Sequence, residues 1–153
     1  MGLDMFLNAK RYLSEWDKEE KSIRDSISPL VPNLGKMVIK EIVAEAAYWR
    51  KANAIHSWFV ENVQDGKDEC VEHYVGREQL KELIETCKMV LADRDNPISS
   101  KAEKLLPTQS GFFFGDTEYD EYYFQDLQGT IDQLEPLLTE EYKNWEFYYR
   151  SSW

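Results

Sequence analysis

Hydrophobic and polar positions alternate at the start of the chain, with a period of two. The alternation separates two groups of side chains: Leu3, Met5 and Leu7 on one side, Asp4 and Phe6 on the other. A period of two is that of a β-strand, so residues 3–7 are predicted to form a short strand. A polar helix over residues 16–27 follows, and prolines and a glycine in residues 28–35 end it.

A helical period then runs from about residue 37 to residue 62. Projected at 100° per residue, it gives one apolar stripe: Tyr48, Ala52, Ile55, Phe59 and Val63. Trp58 falls on another side, where we expect it to be partly exposed. Gly66 can adopt the left-handed conformation that ends a helix. The pattern therefore predicts one long central helix.

The second half of the chain contains two more periodic segments. Residues 77–91 repeat apolar side chains at helical spacing, with Cys87 among them as a small core residue. A third helix, capped by Asp116 or Thr117, is predicted to continue until Pro136 stops it. Residues 73–75 suggest a short extended piece, and residues 92–100 a polar loop.

Two aromatic segments complete the predicted sheet. Residues 111–115, here called the FFFG segment, place three phenylalanines between two glycines, which suggests a short buried strand. Residues 145–153 are also rich in aromatic side chains and are predicted to lie beside residues 3–7. The expected fold is α+β and mainly helical. Three or four helices pack on a small sheet built from the N-terminal, FFFG and C-terminal segments. With no repeat and no linker, residues 1–153 are predicted to form a single domain.

Charge limits the choice of partners. The chain carries 18 basic and 29 acidic residues, a net charge of −11 at pH 7. An acidic protein repels phosphate backbones, so direct binding of nucleic acid is not expected. Basic partners are favoured, including the nucleic-acid-binding surfaces of other proteins. The alternative is that acidity only keeps the protein in solution.

The sequence also bears on the compartment. No apolar run approaches the roughly 18 residues of a membrane span. The first residues lack the basic segment of a signal peptide. Two cysteines, Cys70 and Cys87, are too few for a disulfide framework. We therefore expect a cytoplasmic protein with no membrane partner.

The main candidate site lies on the predicted central helix. Its members are Glu45, Trp49, Asn53 and His56. Glu45 and His56 lie roughly 16 Å apart along a helix axis, so each needs a partner from another element. Such partners are available in the FFFG region and at the C-terminus: Gln109, Ser110, Tyr148 and Arg150.

Two interpretations of these residues remain open. In the functional one, Asn53 and His56 line a pocket that stacks a ligand on Trp49, while Arg50 or Arg150 meets an anionic group. In the structural one, Asn53 and His56 hydrogen-bond to the backbone of the FFFG segment and fix it to the helix.

Motifs for metals and cofactors are incomplete. Cys70 and His73 have the spacing of half a zinc site, but Cys87 belongs to an apolar stripe. The acidic residues at 116–121 lack the EF-hand pattern and suit a helix N-terminus instead. No phosphate-binding loop, nucleophile elbow or HExxH motif is present. We predict no metal and no cofactor, and we assign no catalytic residue.

Four blocks of the chain stand out together: residues 1–5, the run from 48 to 66, the run from 105 to 115 with Tyr119, Asp120 and Glu121, and FYYRSSW at 147–153. On these blocks the chain resembles a family of small proteins encoded by tailed phages and prophages. Together the blocks cover about half of the chain. The resemblance predicts a tyrosine at position 73, so His73 departs from it. The resemblance implies a phage origin and work inside a bacterial cytoplasm, and it implies no catalytic residues.

Three classes of function follow. The first is a non-catalytic binding protein that blocks or sequesters a host component, which is either a protein or a small anionic ligand. The second is a small enzyme acting on a nucleotide or a protein, with His56 as acid or base. The third is a structural or assembly partner in virion production, which predicts an apolar surface patch and a stable oligomer. We favour the binding protein. The sequence indicates no oligomeric state.

Overall fold

The computed structural model describes residues 2–96, 98 and 100–153. Four antiparallel strands form a sheet in the order β2-β1-β4-β3. They are β1 (Asp4–Tyr12), β2 (Glu41–Arg50), β3 (His73–Val75) and β4 (Glu146–Ser152). The described α-helices are α1 (Lys18–Ile27), α2 (Asn53–Val63), α3 (Arg77–Ala92), α4 (Lys101–Leu105) and α5 (Glu121–Leu134). The α+β class is confirmed, with five helices in the described residues instead of the predicted three or four.

The two ends of the chain pair at the centre of the sheet, as predicted. In β1 the side chains of Met5 and Leu7 are fully buried, and in β4 Tyr149 is equally buried. The register places Met5 opposite Ser151 and Leu7 opposite Tyr149. The period of two seen in the sequence therefore corresponds to one face that packs on the core.

The prediction of a central helix is wrong for its first half, because β2 occupies residues 41–50. β2 pairs with β1 so that Trp49 lies opposite Met5 and Ala47 opposite Leu7, which buries both side chains on the core face. Lys51 then adopts a positive φ of 58°, and α2 begins at Asn53. A helical conformation through residues 41–50 would leave the edge of β1 without this partner.

The FFFG segment is a turn, so its predicted place in the sheet is also wrong. The Phe114 amide donates to the Gly111 carbonyl at 3.2 Å, and Gly115 has a φ of 91° that favours glycine. One backbone hydrogen bond, from the Leu3 amide to the Phe113 carbonyl at 3.2 Å, connects the turn to the N-terminus. β2 and β3 supply the strands that the FFFG segment does not.

The remaining helices follow the predicted pattern more closely. α3 buries the expected stripe, including Cys87. α5 begins later than predicted, because Asp120 is its cap and accepts a hydrogen bond from the Tyr123 amide at 3.1 Å. Trp58 is 7% exposed and not partly exposed as expected. The extended piece at 73–75 is confirmed as β3. Within the predicted loop at 92–100, residues 97 and 99 lie outside the described residues.

The helices α2, α3 and α5 share their core with one face of the sheet. Buried side chains of all three belong to the same cluster as those of the four strands. The opposite face carries exposed side chains on β2, β3 and β4. The sheet is therefore packed on one side and open on the other.

None of the described helices combines the length and the apolar character that crossing a bilayer requires.

The connection between β1 and β2, residues 13–40, lies outside this core. Within it, α1 adds no side chain to the core cluster and buries only Arg24. The Arg24 guanidinium donates to the carbonyls of Leu13 and Ile39, at 2.9 Å for the second. Large apolar side chains of the connection are exposed: Trp16, Leu30, Val31, Met37 and Val38.

Candidate functional site

The nine candidate residues fall into three places. Four lie on the open face of the sheet: Glu45, Arg50, Tyr148 and Arg150. Three are buried between the sheet and the loops: Trp49, Asn53 and His56. Two lie in the loop before the FFFG segment: Gln109 and Ser110. The single pocket predicted around Trp49 is therefore not formed.

The open face brings its residues together across β1. Asn8 lies between Glu45 of β2 and Tyr148 of β4. One step along, Phe6 lies between Tyr48 and Arg150. Directly opposed residues of antiparallel strands have Cβ atoms about 5 Å apart, so these six side chains form one continuous surface.

Two aromatic pairs define this face. The rings of Phe6 and Tyr48 have centroids 5.4 Å apart, and those of Tyr74 and Tyr148 lie 5.6 Å apart. The Lys10 ammonium sits 4.5 Å from the centroid of the Tyr148 ring. Aromatic side chains at the surface supply large contact areas at low entropic cost, which is why protein interfaces are enriched in them.

Charged groups surround the aromatic pairs. Lys10 forms an ion pair with Glu72, and Arg50 lies 3.6 Å from Asp4. The hydrogen bond to Glu72 contributes to the raised pKa of Lys10 more than any other cause. Arg150 is exposed and forms no ion pair with the described residues. Its guanidinium is available for an external acceptor.

Asn53 fixes the FFFG segment, as the structural interpretation predicts. Its Nδ2 donates to the carbonyl of Phe114 at 3.0 Å and to that of Asp116 at 2.8 Å. Its Oδ1 accepts from the amide of Gln109 at 3.0 Å. Asn53 is buried, so one side chain satisfies three backbone groups on both sides of the turn.

His56 has different partners from those expected. Its Nδ1 lies 2.7 Å from the Tyr149 hydroxyl, and its Nε2 lies 3.1 Å from Oδ1 of Asp68. The second contact is within ion-pair distance but is not aligned as a hydrogen bond. Burial lowers the pKa of His56, and Asp68 only partly offsets this effect. The prediction that His56 binds the FFFG backbone is wrong, and its 0% exposure leaves it no contact with solvent.

Trp49 is a core residue that helps to join β2 to α5. Its indole Nε1 donates to Oγ1 of Thr130 at 2.9 Å, and its ring packs edge-on against Phe59 with centroids 5.8 Å apart. Its exposed fraction is 5%, so no ring face remains on which a ligand could stack.

Gln109 and Ser110 border a groove of about 250 Å³ beside the FFFG segment. Trp153 and Asp68 also line this groove. Trp153 Nε1 donates to Oδ1 of Asp68 at 3.0 Å. This groove is separate from the open face of the sheet and contains two of the nine candidates.

A larger cleft of about 440 Å³ lies between the start of α2 and α5. Four acidic residues line it: Asp116, Glu118, Asp120 and Asp126. Burial, together with the charge of Asp120, raises the pKa of Asp126 to about 6. Among the described residues there is no group of three or more histidine, cysteine or acidic side chains arranged to hold a metal ion.

Sequence reasoning missed Phe6, Tyr48 and Tyr74 on the open face. Tyr48 was placed on the apolar stripe of a helix, although it is more than one-third exposed. The signal that could have revealed it is the alternation in residues 47–50, where buried Ala47 and Trp49 flank Tyr48. Once β2 is identified as a strand, pairing with β1 puts Tyr48 beside Phe6.

No family model, curated protein or solved structure matches this chain. The residues themselves must therefore carry any functional assignment.

Proposed function

We propose that this chain is a phage-encoded, non-catalytic binding protein that blocks or sequesters a protein of the bacterial cytoplasm. The observation that carries the proposal is the open sheet face, where two aromatic pairs and the free Arg150 lie on one surface. Four of the nine residues selected from the sequence belong to this surface. We expect the partner to contact it directly.

The chemistry of the face favours a protein partner over nucleic acid. The open face itself carries four strand carboxylates, Asp4, Glu41, Glu45 and Glu146, and three strand cations, Lys10, Arg50 and Arg150. Glu72 adds a fifth carboxylate, because it contacts Asn8 and Lys10 of this face. A face on which acids outnumber bases repels phosphate groups, and the net charge of −11 adds to that repulsion. Interleaved charges beside tyrosines are typical of protein interfaces.

The proposal is tested with three forms of the protein as bait in a bacterial lysate. The first is the unaltered chain. The second is the face variant Tyr74→Ala/Arg150→Glu, which removes one exposed ring and reverses one exposed charge. The third is the control Tyr122→Ala, which removes a tyrosine from α5 that is even more exposed than Tyr74. Captured proteins are identified by mass spectrometry, and the affinity of each purified protein is then measured by calorimetry.

We expect one partner that the unaltered chain and the control capture equally. The face variant should bind it at least about thirtyfold more weakly, because loss of a central hot spot costs about 2 kcal/mol. Thermal unfolding of all three forms checks that the fold is intact. Equal capture by the face variant, or no specific partner for any bait, would refute the proposal.

A second candidate, assembly with other chains, rests on the apolar connection between β1 and β2. Trp16 is 93% exposed there, and Leu30 and Met37 are more than half exposed. Such side chains often mark an interface. Light scattering distinguishes this candidate, since assembly predicts a stable oligomer and a monomer contradicts it. The enzyme alternative receives no similar support, because His56 is fully buried.

A further inference from the structure

The groove beside the FFFG segment is framed by aromatic rings. We call it the aromatic groove, and its lining comprises Asp68, residues 109–114 and Trp153. Phe112 is 92% exposed and meets Phe113 edge-on with centroids 4.5 Å apart. Trp153 is 52% exposed and its ring lies 6.4 Å from that of Phe114. The face of an aromatic ring attracts cations, so several exposed rings around one groove favour a positively charged ligand.

Two acceptor atoms of the groove residues form no hydrogen bond within the described chain. The hydrogen bond from Trp153 uses Oδ1 of Asp68, and the bonds among the described residues leave Oδ2 unused. Oε1 of Gln109 is buried and has no hydrogen-bond partner within the described chain. Because that atom is buried, the acceptor that remains open to a ligand is Oδ2 of Asp68.

Among the described residues, the one basic group within ion-pair distance of the Asp68 carboxylate is His56, whose Nε2 lies 3.1 Å from Oδ1. Burial lowers the pKa of His56, which disfavours its charged form. Lys51, the basic residue next to the turn, packs against Gly115 and lines the larger cleft instead of the aromatic groove. The aromatic groove therefore presents an uncompensated carboxylate among aromatic rings.

We propose that the aromatic groove binds a lysine side chain of a basic protein partner. The four-carbon stem of lysine packs along the rings of Phe112 and Trp153 while its ammonium reaches Asp68. An ammonium offers three rotatable donors, which suits Oδ2 of Asp68 and water. A guanidinium holds five donors in a rigid plane and would leave several unpaired. An anion is disfavoured by the carboxylate.

Charge supports a protein as the source of this lysine. A net charge of −11 attracts basic surfaces and raises the rate of encounter with them. Phe112 projects from the surface, so a side chain on a folded partner can reach the groove without entering the core. This inference stands on the groove alone and does not require the partner of the sheet face.

The test compares two capped tripeptides that differ in one terminal group. Acetyl-Gly-Lys-Gly-amide carries the ammonium, and the norleucine peptide carries a neutral butyl chain in its place. Binding to the full chain is followed at low salt through the indole N–H resonance of Trp153 by NMR. This resonance is assigned with Trp153→Phe. We expect the lysine peptide to bind about tenfold more tightly, a difference of about 1.4 kcal/mol.

Two variants locate the effect. Asp68→Asn keeps the acceptor for Trp153 Nε1 but removes the charge, so it should abolish the preference for lysine. Phe112→Ala removes an almost fully exposed ring and should weaken the lysine peptide at least threefold without altering the fold. Trp16→Ala, which removes an equally exposed ring from the β1–β2 connection, is the matched control and should change nothing.

The outcomes that would overturn the inference are distinct. Equal affinity for the two peptides would mean that the groove is merely apolar. A preference for lysine that persists in Asp68→Asn would mean that another acidic region attracts the peptide. An unchanged Trp153 resonance at the highest peptide concentration would mean that lysine does not enter the groove.

Discussion

Substitution of Asn53 by alanine tests the role of this residue in holding the FFFG segment. The change removes two donated hydrogen bonds and one accepted bond, of 2.8–3.0 Å. The carbonyl of Phe114, on a buried residue, would lose its partner at a cost of about 1–3 kcal/mol. Asp116 and Gln109 are nearer to solvent, so water can replace each of their bonds for about 0.5–1 kcal/mol. We expect a total loss of about 3 kcal/mol.

Two measurements check this value. Urea denaturation gives the free energy of unfolding directly. Amide hydrogen exchange follows the Gln109 N–H, whose acceptor is Asn53 Oδ1. Exchange at Gln109 should accelerate in Asn53→Ala. The variant Asn53→Asp keeps an acceptor for Gln109 but turns a carboxylate towards two carbonyls. It should therefore destabilise the fold at least as much as alanine does at pH 7.

The control is Asn62→Ala, on the same helix. Its Nδ2 donates only to the carbonyl of Trp58 at 2.8 Å, one turn away. We expect a loss below about 1 kcal/mol and no change in exchange at Gln109. If Asn53→Ala costs no more than the control, or if Gln109 exchange is unaltered, Asn53 does not hold the segment.

Two further predictions concern α5 and the FFFG turn. Burial raises the folded pKa of Asp126 to about 6, above its unfolded value near 3.8, so stability should fall as pH rises from about 4 to about 6. Asp126→Asn should remove this fall and, after allowance for solvent screening, raise the free energy of unfolding at pH 7 by about 1 kcal/mol. Asp132→Asn, which changes an exposed residue, should do neither, and denaturation measured at a series of pH values checks both variants. Gly115→Ala should cost more than about 1 kcal/mol, because its φ is 91° and its Cβ would lie 3.2 Å from that of Lys51. Gly129→Ala should instead stabilise α5 by about 0.5–1 kcal/mol, because Gly129 has helical backbone and open space around it. Thermal unfolding in which Gly115→Ala is the more stable of the two variants would contradict this.

Local patterns were sufficient for the elements that have one consistent period. β1, α3 and β4 follow from alternation or from helical spacing, since each has one buried face. The prediction of one helix over residues 37–62 is wrong because a strand and a helix follow each other there without a glycine or proline between them. The break occurs at Lys51, which adopts a positive φ that its residue type does not signal. The stripe from Tyr48 to Phe59 crosses that break by coincidence.

The candidate site was predictable in its residue types more than in its arrangement. The candidates were selected as polar residues beside aromatic ones, but their grouping in space depends on strand pairing. Arg50 and Arg150 are 100 positions apart in the chain, and β1 places them on one face. Asp68 carried no local signal at all, because its role arises from contacts with His56 and Trp153.

The structural role of Asn53 also bears on the proposed aromatic groove. Phe114 packs into the core, but the exposed ring of Phe112 gains little from packing, since it contacts mainly its neighbour Phe113. Without support, the turn would be free to fold this ring back onto the surface. Asn53 donates two hydrogen bonds and accepts one, and these three bonds hold the backbone on both sides of the turn. The structural role of Asn53 therefore keeps the aromatic groove preorganised, which lowers the entropic cost of binding a side chain there.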